Sequence, residues 1–162
     1  MGVDFQIKLT AEGKKFVKEL EELAKLEVAV GYQEGVSYPD GTSVVEVALY
    51  NELGTVHSPS RPFIRDSLNG HKQEIEQFMQ QQAKSIVNGK KVEEILKEIG
   101  VFQKGLIQKE IVNGNFVPNS PKTIRIKEKK GNGSGGTPIP LIDTGLMRQS
   151  VNFVVREKGS SD

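Results

Sequence analysis

Few residues in this 162-residue chain have the types and spacing that chemistry needs, since it holds two histidines and no cysteine. The sharpest candidate is Leu141-Ile142-Asp143-Thr144-Gly145. Two apolar residues followed by Asp-Thr-Gly form the signature of an aspartic protease, in which two carboxylates share one proton. The continuation argues against that chemistry. Leu146, Met147 and Arg148 stand where small residues belong, and only 17 residues follow Gly145, too few to complete such a protomer. Asp143, or Thr144 beside it, is therefore read as a helix cap and Gly145 as a turn residue, with an aspartic hydrolase acting through Asp143 as a remote alternative.

His57 and His71 lie 14 residues apart with no H-E-x-x-H arrangement, so no metal site is expected. Ser58, His57 and Asp66 can be drawn as a triad, but neighbouring Ser and His in a loop seldom face each other, and no nucleophile elbow accompanies them. Gly131, Gly133, Gly135 and Gly136 lack the P-loop lysine and any strand–loop–helix context. The chain is read as having no catalytic residues, no cofactor and no metal, and as not being an enzyme.

The strongest remaining signal is charge. Lys122, Arg125, Lys127, Lys129 and Lys130 place five positive charges within nine residues, with Glu128 alone against them. Such a segment can neutralise phosphates in a salt-dependent way. It has no interleaved aromatic for base stacking, so docking on an acidic protein neighbour is favoured over nonspecific DNA contact. The whole chain carries a net charge of only +1, which argues against a globally basic nucleic-acid binder.

These residues must be positioned by ordinary elements. Hydrophobic content of 36% suffices for a modest core in one domain. Val3, Phe5, Ile7 and Leu9 alternate as a half-buried strand, and Thr10 can cap a helix carrying Phe16, Val17, Leu20, Leu23 and Ala24. Glu27 to Tyr32 is β-prone and runs into a turn-rich loop with Pro39-Asp40-Gly41. Ser43 with Glu46 predicts a capping box for a short helix ending at Gly54, where a left-handed residue is wanted. A second helical pattern, from Phe63 to Ile86, is expected to kink or break at Gly70. A third, from Val92 to Ile107, is weakened by Gly100 and Gly105 and stopped at Asn113-Gly114. Asn115 to Pro138 reads as a mobile basic arm. Val151, Phe153 and Val155 then close the fold as a strand.

The expected fold class is α+β: a small antiparallel sheet packed against about three helices, with a long basic Gly-rich arm. Residues 1–114 and 139–157 form a single domain, 115–138 an extended arm within it, and 158–162 a tail. MGVDFQIKL has no apolar run of signal-peptide length and position 6 is Gln, which fails the myristoylation motif; no stretch reaches membrane-span length. The expectation is a soluble protein, intracellular when made, with no membrane partner.

Several segments taken in order resemble one family. Val30-Gly31-Tyr32 leads into Tyr38 to Gly41. Val44, Val47, Ala48, Asn51 and Glu52 follow, then Gly54-Thr55 and Pro59, Arg61, Pro62, Phe63. Far downstream come Asn119, Ser120, Pro121 and Thr123, and then Leu141 to Ser150. Together, from about Val28 to Val155, these resemble the tail-completion and virion-morphogenesis proteins of long-tailed bacteriophages, the neck components that join heads to tails. Two departures are Phe116, where the family often has Trp, and Met147, where Leu is usual.

The resemblance implies a structural virion protein at the neck or tail end, assembled in the host cytoplasm. It implies a ring of copies of itself, hexameric by analogy. The implied neighbours are head–tail connector or adaptor proteins and the tail terminator or tail tube protein. The arm would serve as an inter-subunit clamp, with nonspecific contact to genome DNA as the alternative. Partner-binding residues are expected to be Arg61, Phe63, Arg148, Lys122, Arg125, Lys127, Lys129 and Lys130, and turn or cap residues Gly54, Pro62, Asp143 and Gly145. For Arg61 and Phe63 an internal role stays open: Phe63 in the core, and Arg61 paired with Glu52 or Asp143.

Overall fold

Periodicity fixes the helices and alternation the strands, and in the computed structural model, which describes residues 9–129 and 139–160, they appear in that order. Helix α1 (Ala11–Lys25) starts at Thr10, whose hydroxyl accepts the Gly13 amide at 3.1 Å. It runs directly into strand β1 (Leu26–Tyr32). The turn loop after it contains Gly41 at φ +87°, with the Asp40 carboxylate accepting from the Thr42 amide, and delivers α2 (Val44–Leu53). Then come α3 (Phe63–Asn69), α4 (Lys72–Val87) and the long α5 (Val92–Asn113). Helix α6 (Pro121–Lys129), the single turn α7 (Leu146–Gln149) and strand β2 (Val151–Glu157) complete the described chain.

The fold is α+β: among the described residues, seven helices accompany one two-stranded antiparallel sheet. The sheet pairs Leu26 with Glu157 through to Tyr32 with Val151. Because side chains alternate, Val28 with Val155, Val30 with Phe153 and Tyr32 with Val151 share the face turned to the core. Glu27 and Arg156 share the other face, joined at 2.9 Å.

Helix α5 organises the interior. Its 22 residues span about 33 Å, long enough to serve two hydrophobic clusters. Ile107 and Ile111 join Val44, Ala48, Phe63, Leu141, Met147 and Val151 in one. Val92, Ile95 and Leu96 join Ile86, Phe16, Leu23 and Val28 in the other. Gly100 lets the helix approach the sheet: a Cβ there would sit 2.4 Å from the Phe153 ring. This glycine interrupts nothing, and the helix passes through it and Gly105 unbroken. Its first amide, on Val92, is capped from α1 by Glu19 at 2.9 Å.

Several sequence expectations change here. The capping box at Ser43 and Glu46 does not form: the Ser43 side chain makes no capping bond, and the Glu46 carboxylate accepts from the Tyr50 hydroxyl at 3.4 Å. The break between α3 and α4 falls at Gly70-His71, as the glycine suggests. Val17 and Leu20 of α1, and Leu68 and Met79 of the next pattern, are exposed rather than core. The largest correction concerns the arm. Residues 121–129 form α6, which starts where Ser120 accepts the Thr123 amide at 3.2 Å and Pro121 occupies the first helical position. Its Lys127, buried and bonded to the carbonyls of Ile139, Pro140 and Ile142, ties it to the body of the protein rather than leaving it extended in solvent. Val3, Phe5, Ile7, Lys130 and the glycines from 131 to 136 lie outside the described residues.

Candidate interaction site

The two sequence blocks that carry the resemblance meet in space. Residues 54–63 leave α2 through Gly54, which sits at φ +79°, ψ +170°. That is a glycine conformation, though the extended rather than the left-handed helical one expected. A Cβ on Gly54 would lie 2.7 Å from the Ser60 amide nitrogen, so the returning chain can run against α2 only because no side chain is present. Ser60 then donates through its hydroxyl to the Glu52 carbonyl at 2.7 Å, and the Arg61 amide donates to the Asn51 carbonyl at 2.6 Å.

Pro62 turns this segment into α3. At φ −78°, ψ +62°, with the Phe63 amide donating to the Arg61 carbonyl at 2.8 Å, it is the centre of an inverse γ-turn. Phe63 is thereby aimed inward. It is 0% exposed and meets Tyr32 edge to face, with ring centres 6.2 Å apart. The Tyr32 hydroxyl is buried beside it and finds no hydrogen-bond partner among the described residues. Burial first, then the proximity of Tyr38 and Glu52, pushes its ionisation well above the ordinary phenol range.

Arg61 is also inside, at 8% exposed. Its Nε donates to the Val117 carbonyl at 2.9 Å and its Nη2 to the Pro118 carbonyl at 3.2 Å. Desolvation lowers its pKa. Neither Glu52 nor Asp143 is its hydrogen-bond partner. Glu52 instead accepts the Ile64 and Arg65 amides, at 2.8 and 3.1 Å, and so caps α3 with a negative charge at its N-terminus. Arg61 and Phe63 are thus structural in this chain, not surface contacts. They clamp the 54–63 segment to 117–118 and to the core.

Lys127 has the same inward character. It is 6% exposed, and its ammonium donates to the carbonyls of Ile139, Pro140 and Ile142. A buried ammonium needs such acceptors to offset lost hydration. This residue fastens α6 to the turn that returns the chain to α7. Lys122, Arg125 and Lys129 are exposed, at i, i+3 and i+7 on one face of α6. Arg148 is exposed on α7, as expected, and its carbonyl accepts from Gln108 at 3.1 Å. Lys130 lies outside the described residues.

Asp143-Thr144-Gly145 builds a turn in which Gly145, not Asp143 or Thr144 as expected, stands at the cap position of α7. Thr144 Oγ1 accepts the Leu146 amide at 3.2 Å, and Gly145 adopts φ +83°. A cleft of ≈ 580 Å³ lies between α2, the 57–61 segment, 117–127 and this turn. Among its lining residues Asp143 is the single carboxylate, so one chain does not assemble the paired carboxylates of an aspartic dyad there. Asp143 helps hold Tyr38, on the same wall, above its ordinary pKa, after burial as the larger cause and against the Met147 amide. His57 and Ser58 also line the cleft, but no hydrogen bond links them to Asp66. No cluster of three metal-ligating side chains occurs among the described residues.

Sequence reasoning missed the outer face of α2. Leu49, Tyr50 and Leu53 are half exposed or more, and Val56 just beyond is 97% exposed. The signal was present: seven of the ten residues of VVEVALYNEL are apolar, which leaves no polar stripe for solvent.

No family model, no curated protein and no solved structure matches this chain.

Proposed function

We propose that this chain is a structural virion protein of a long-tailed bacteriophage, completing the tail or joining head to tail through ring assembly and protein–protein contacts. One observation supports it above others. The motifs that carry the resemblance, some 60 to 90 residues apart in sequence, interlock: Arg61 binds the carbonyls at 117 and 118, and Asn51, Pro59, Arg61, Asn119, Ser120, Leu141, Asp143 and Met147 line one cleft. Two charged members of these motifs, Arg61 and Glu52, are spent on holding segments together, through backbone carbonyls and a helix end. That is how a scaffold uses such residues, and it leaves the work of the molecule to its surfaces.

The test is location. Purified particles from the encoding phage or prophage, analysed by mass spectrometry and by immunogold labelling, should contain the chain at the head–tail junction or tail end. Particles that lack it would contradict the proposal.

A second reading is favoured by the exposed row of Lys122, Arg125 and Lys129 on α6, which suits phosphates as well as carboxylates. It predicts retention of duplex DNA that falls steeply with added salt and is lost when the three are replaced by Gln.

A further inference from the structure

We infer that the outer face of α2 is the docking surface for the basic face of α6 from a second copy of this chain. The inference rests on the assembly reading and supplies its interface. A helix that is apolar all round is ordinarily a buried helix. Here Val44 and Ala48 are buried, yet Leu49, Tyr50, Leu53 and the following Val56 face solvent. Leu49, Tyr50 and Leu53, at i, i+1 and i+4, share one side of the helix, and an exposed apolar face of this kind marks a contact surface.

Charge identifies the occupant. From Leu26 to Ser60 there is no lysine or arginine, whereas Glu27, Glu34, Asp40, Glu46 and Glu52 are all acidic. Glu27 is engaged by Arg156 and Glu52 by the start of α3, but Glu46 stands exposed on α2 at i to the i+3, i+4 and i+7 of Leu49, Tyr50 and Leu53, so the apolar patch itself carries a carboxylate and no cation. Helix α6 offers the complement: Lys122, Arg125 and Lys129 along one exposed face. The methylene stems of Lys and Arg cover apolar side chains, and an arginine head suits both a carboxylate and the face of Tyr50. Pairing like with like fails, since two α2 faces would oppose their glutamates and two α6 faces their cations. The contact is thus between two different surfaces, a head-to-tail arrangement that closes into a ring or continues as a filament. The sides of α2 and α6 that carry Val47, Asn51, Thr123, Ile126 and Lys127 line the cleft within one chain, whereas Lys122, Arg125 and Lys129 are not among the cleft residues.

Mixing two surface variants of the full chain in sedimentation velocity tests this. One variant carries Leu49→Asp with Leu53→Asp; the other carries Arg125→Glu with Lys129→Glu. Wild type is expected to self-associate with concentration, less so as salt rises. Each variant alone should associate at least roughly tenfold more weakly. Their mixture should form a 1:1 pair and nothing larger, because each supplies one intact face. Glu46→Lys, a change of surface charge alone, should weaken wild-type association in the same direction, so the result does not hang on the apolar double variant folding. If wild type assembles but either double variant, folded by circular dichroism, assembles equally well, this interface is wrong while ring assembly stands. A wild type that stays monomeric throughout would overturn both. Arg125→Glu with Lys129→Glu losing DNA binding while assembling normally would assign the basic face to nucleic acid and overturn the inference.

Discussion

Replacing Gly54 with alanine is expected to cost about 3 kcal/mol, from two terms of the same sign. The first is conformational. At φ +79°, ψ +170° only glycine is comfortable, and a side chain there costs about 1–3 kcal/mol. The second is steric. The new Cβ would lie 2.7 Å from the Ser60 nitrogen, 3.1 Å from its Cα and 3.2 Å from the Ser58 carbonyl oxygen, all backbone atoms. That backbone cannot retreat cheaply, because Ser60 and Arg61 are tied to the Glu52 and Asn51 carbonyls at 2.7 and 2.6 Å. Overpacking of this kind adds about 1–3 kcal/mol. Alanine's smaller unfolded-state entropy returns only about 0.4–1 kcal/mol. For a chain of this size, 3 kcal/mol is a loss of about 6–12 °C in Tm. The assay is urea and thermal unfolding followed by far-UV circular dichroism, with Gly41→Ala as control. Gly41 shares a positive φ of 87° but has nothing within 4 Å of its virtual Cβ, so it should lose only about 1 kcal/mol. If the two variants unfold within about 0.5 kcal/mol of each other, the contact with Ser60 carries no energy and the account of this corner is wrong.

Lys127→Met removes the cation from three carbonyls and should cost about 2–4 kcal/mol in urea unfolding, with faster proteolysis near residues 139–145; an unchanged midpoint would contradict its role as a fastener. Tyr32→Phe deletes a buried hydroxyl without a described partner, so it should be neutral or stabilising by up to about 1 kcal/mol at pH 7. The same change should flatten the alkaline limb of stability. Because burial holds the folded phenol neutral above its unfolded pKa of about 10, wild type binds more protons folded than unfolded and loses stability as pH rises beyond that value. Identical alkaline limbs for the two proteins would refute this. Gly100→Ala gains about 1 kcal/mol of helix propensity but drives a methyl to 2.4 Å from Phe153, and should be net destabilising by about 1–2 kcal/mol in thermal unfolding. A raised Tm would show that the ring moves aside freely.

Much of the scaffold is written in local chemistry. Thr10 caps α1, Gly70 breaks the α3–α4 pattern, Asn113-Gly114 ends α5, and the alternation of Val151, Phe153 and Val155 yields β2. Where the reading failed, the cause was a long-range partner without a charge or an apolar side chain of its own. Arg61 was expected at a partner-binding surface, with pairing to Glu52 or Asp143 left open, whereas its hydrogen-bond acceptors are the carbonyls of Val117 and Pro118, which every residue type possesses. Lys127 looked like one more solvated charge, and nothing in its neighbours reveals that the carbonyls at 139, 140 and 142 converge on it. Helix α6 was masked differently. The glycines after it made the whole stretch look extended, although Ser120-Pro121 is a good helix start and Lys, Arg, Ile and Glu are adequate helix formers. The bare face of α2 went unread because seven apolar residues in ten leave no stripe that separates a core side from a surface side.

Electron microscopy of the lysate from a nonsense mutant in this gene reaches the central claim most directly, since that claim requires the gene to belong to a phage or prophage. A tail-completion or head–tail joining role predicts DNA-filled heads beside separate, finished-looking tails, with joining restored when the wild-type protein is supplied. Normal, infectious particles from the mutant would contradict it.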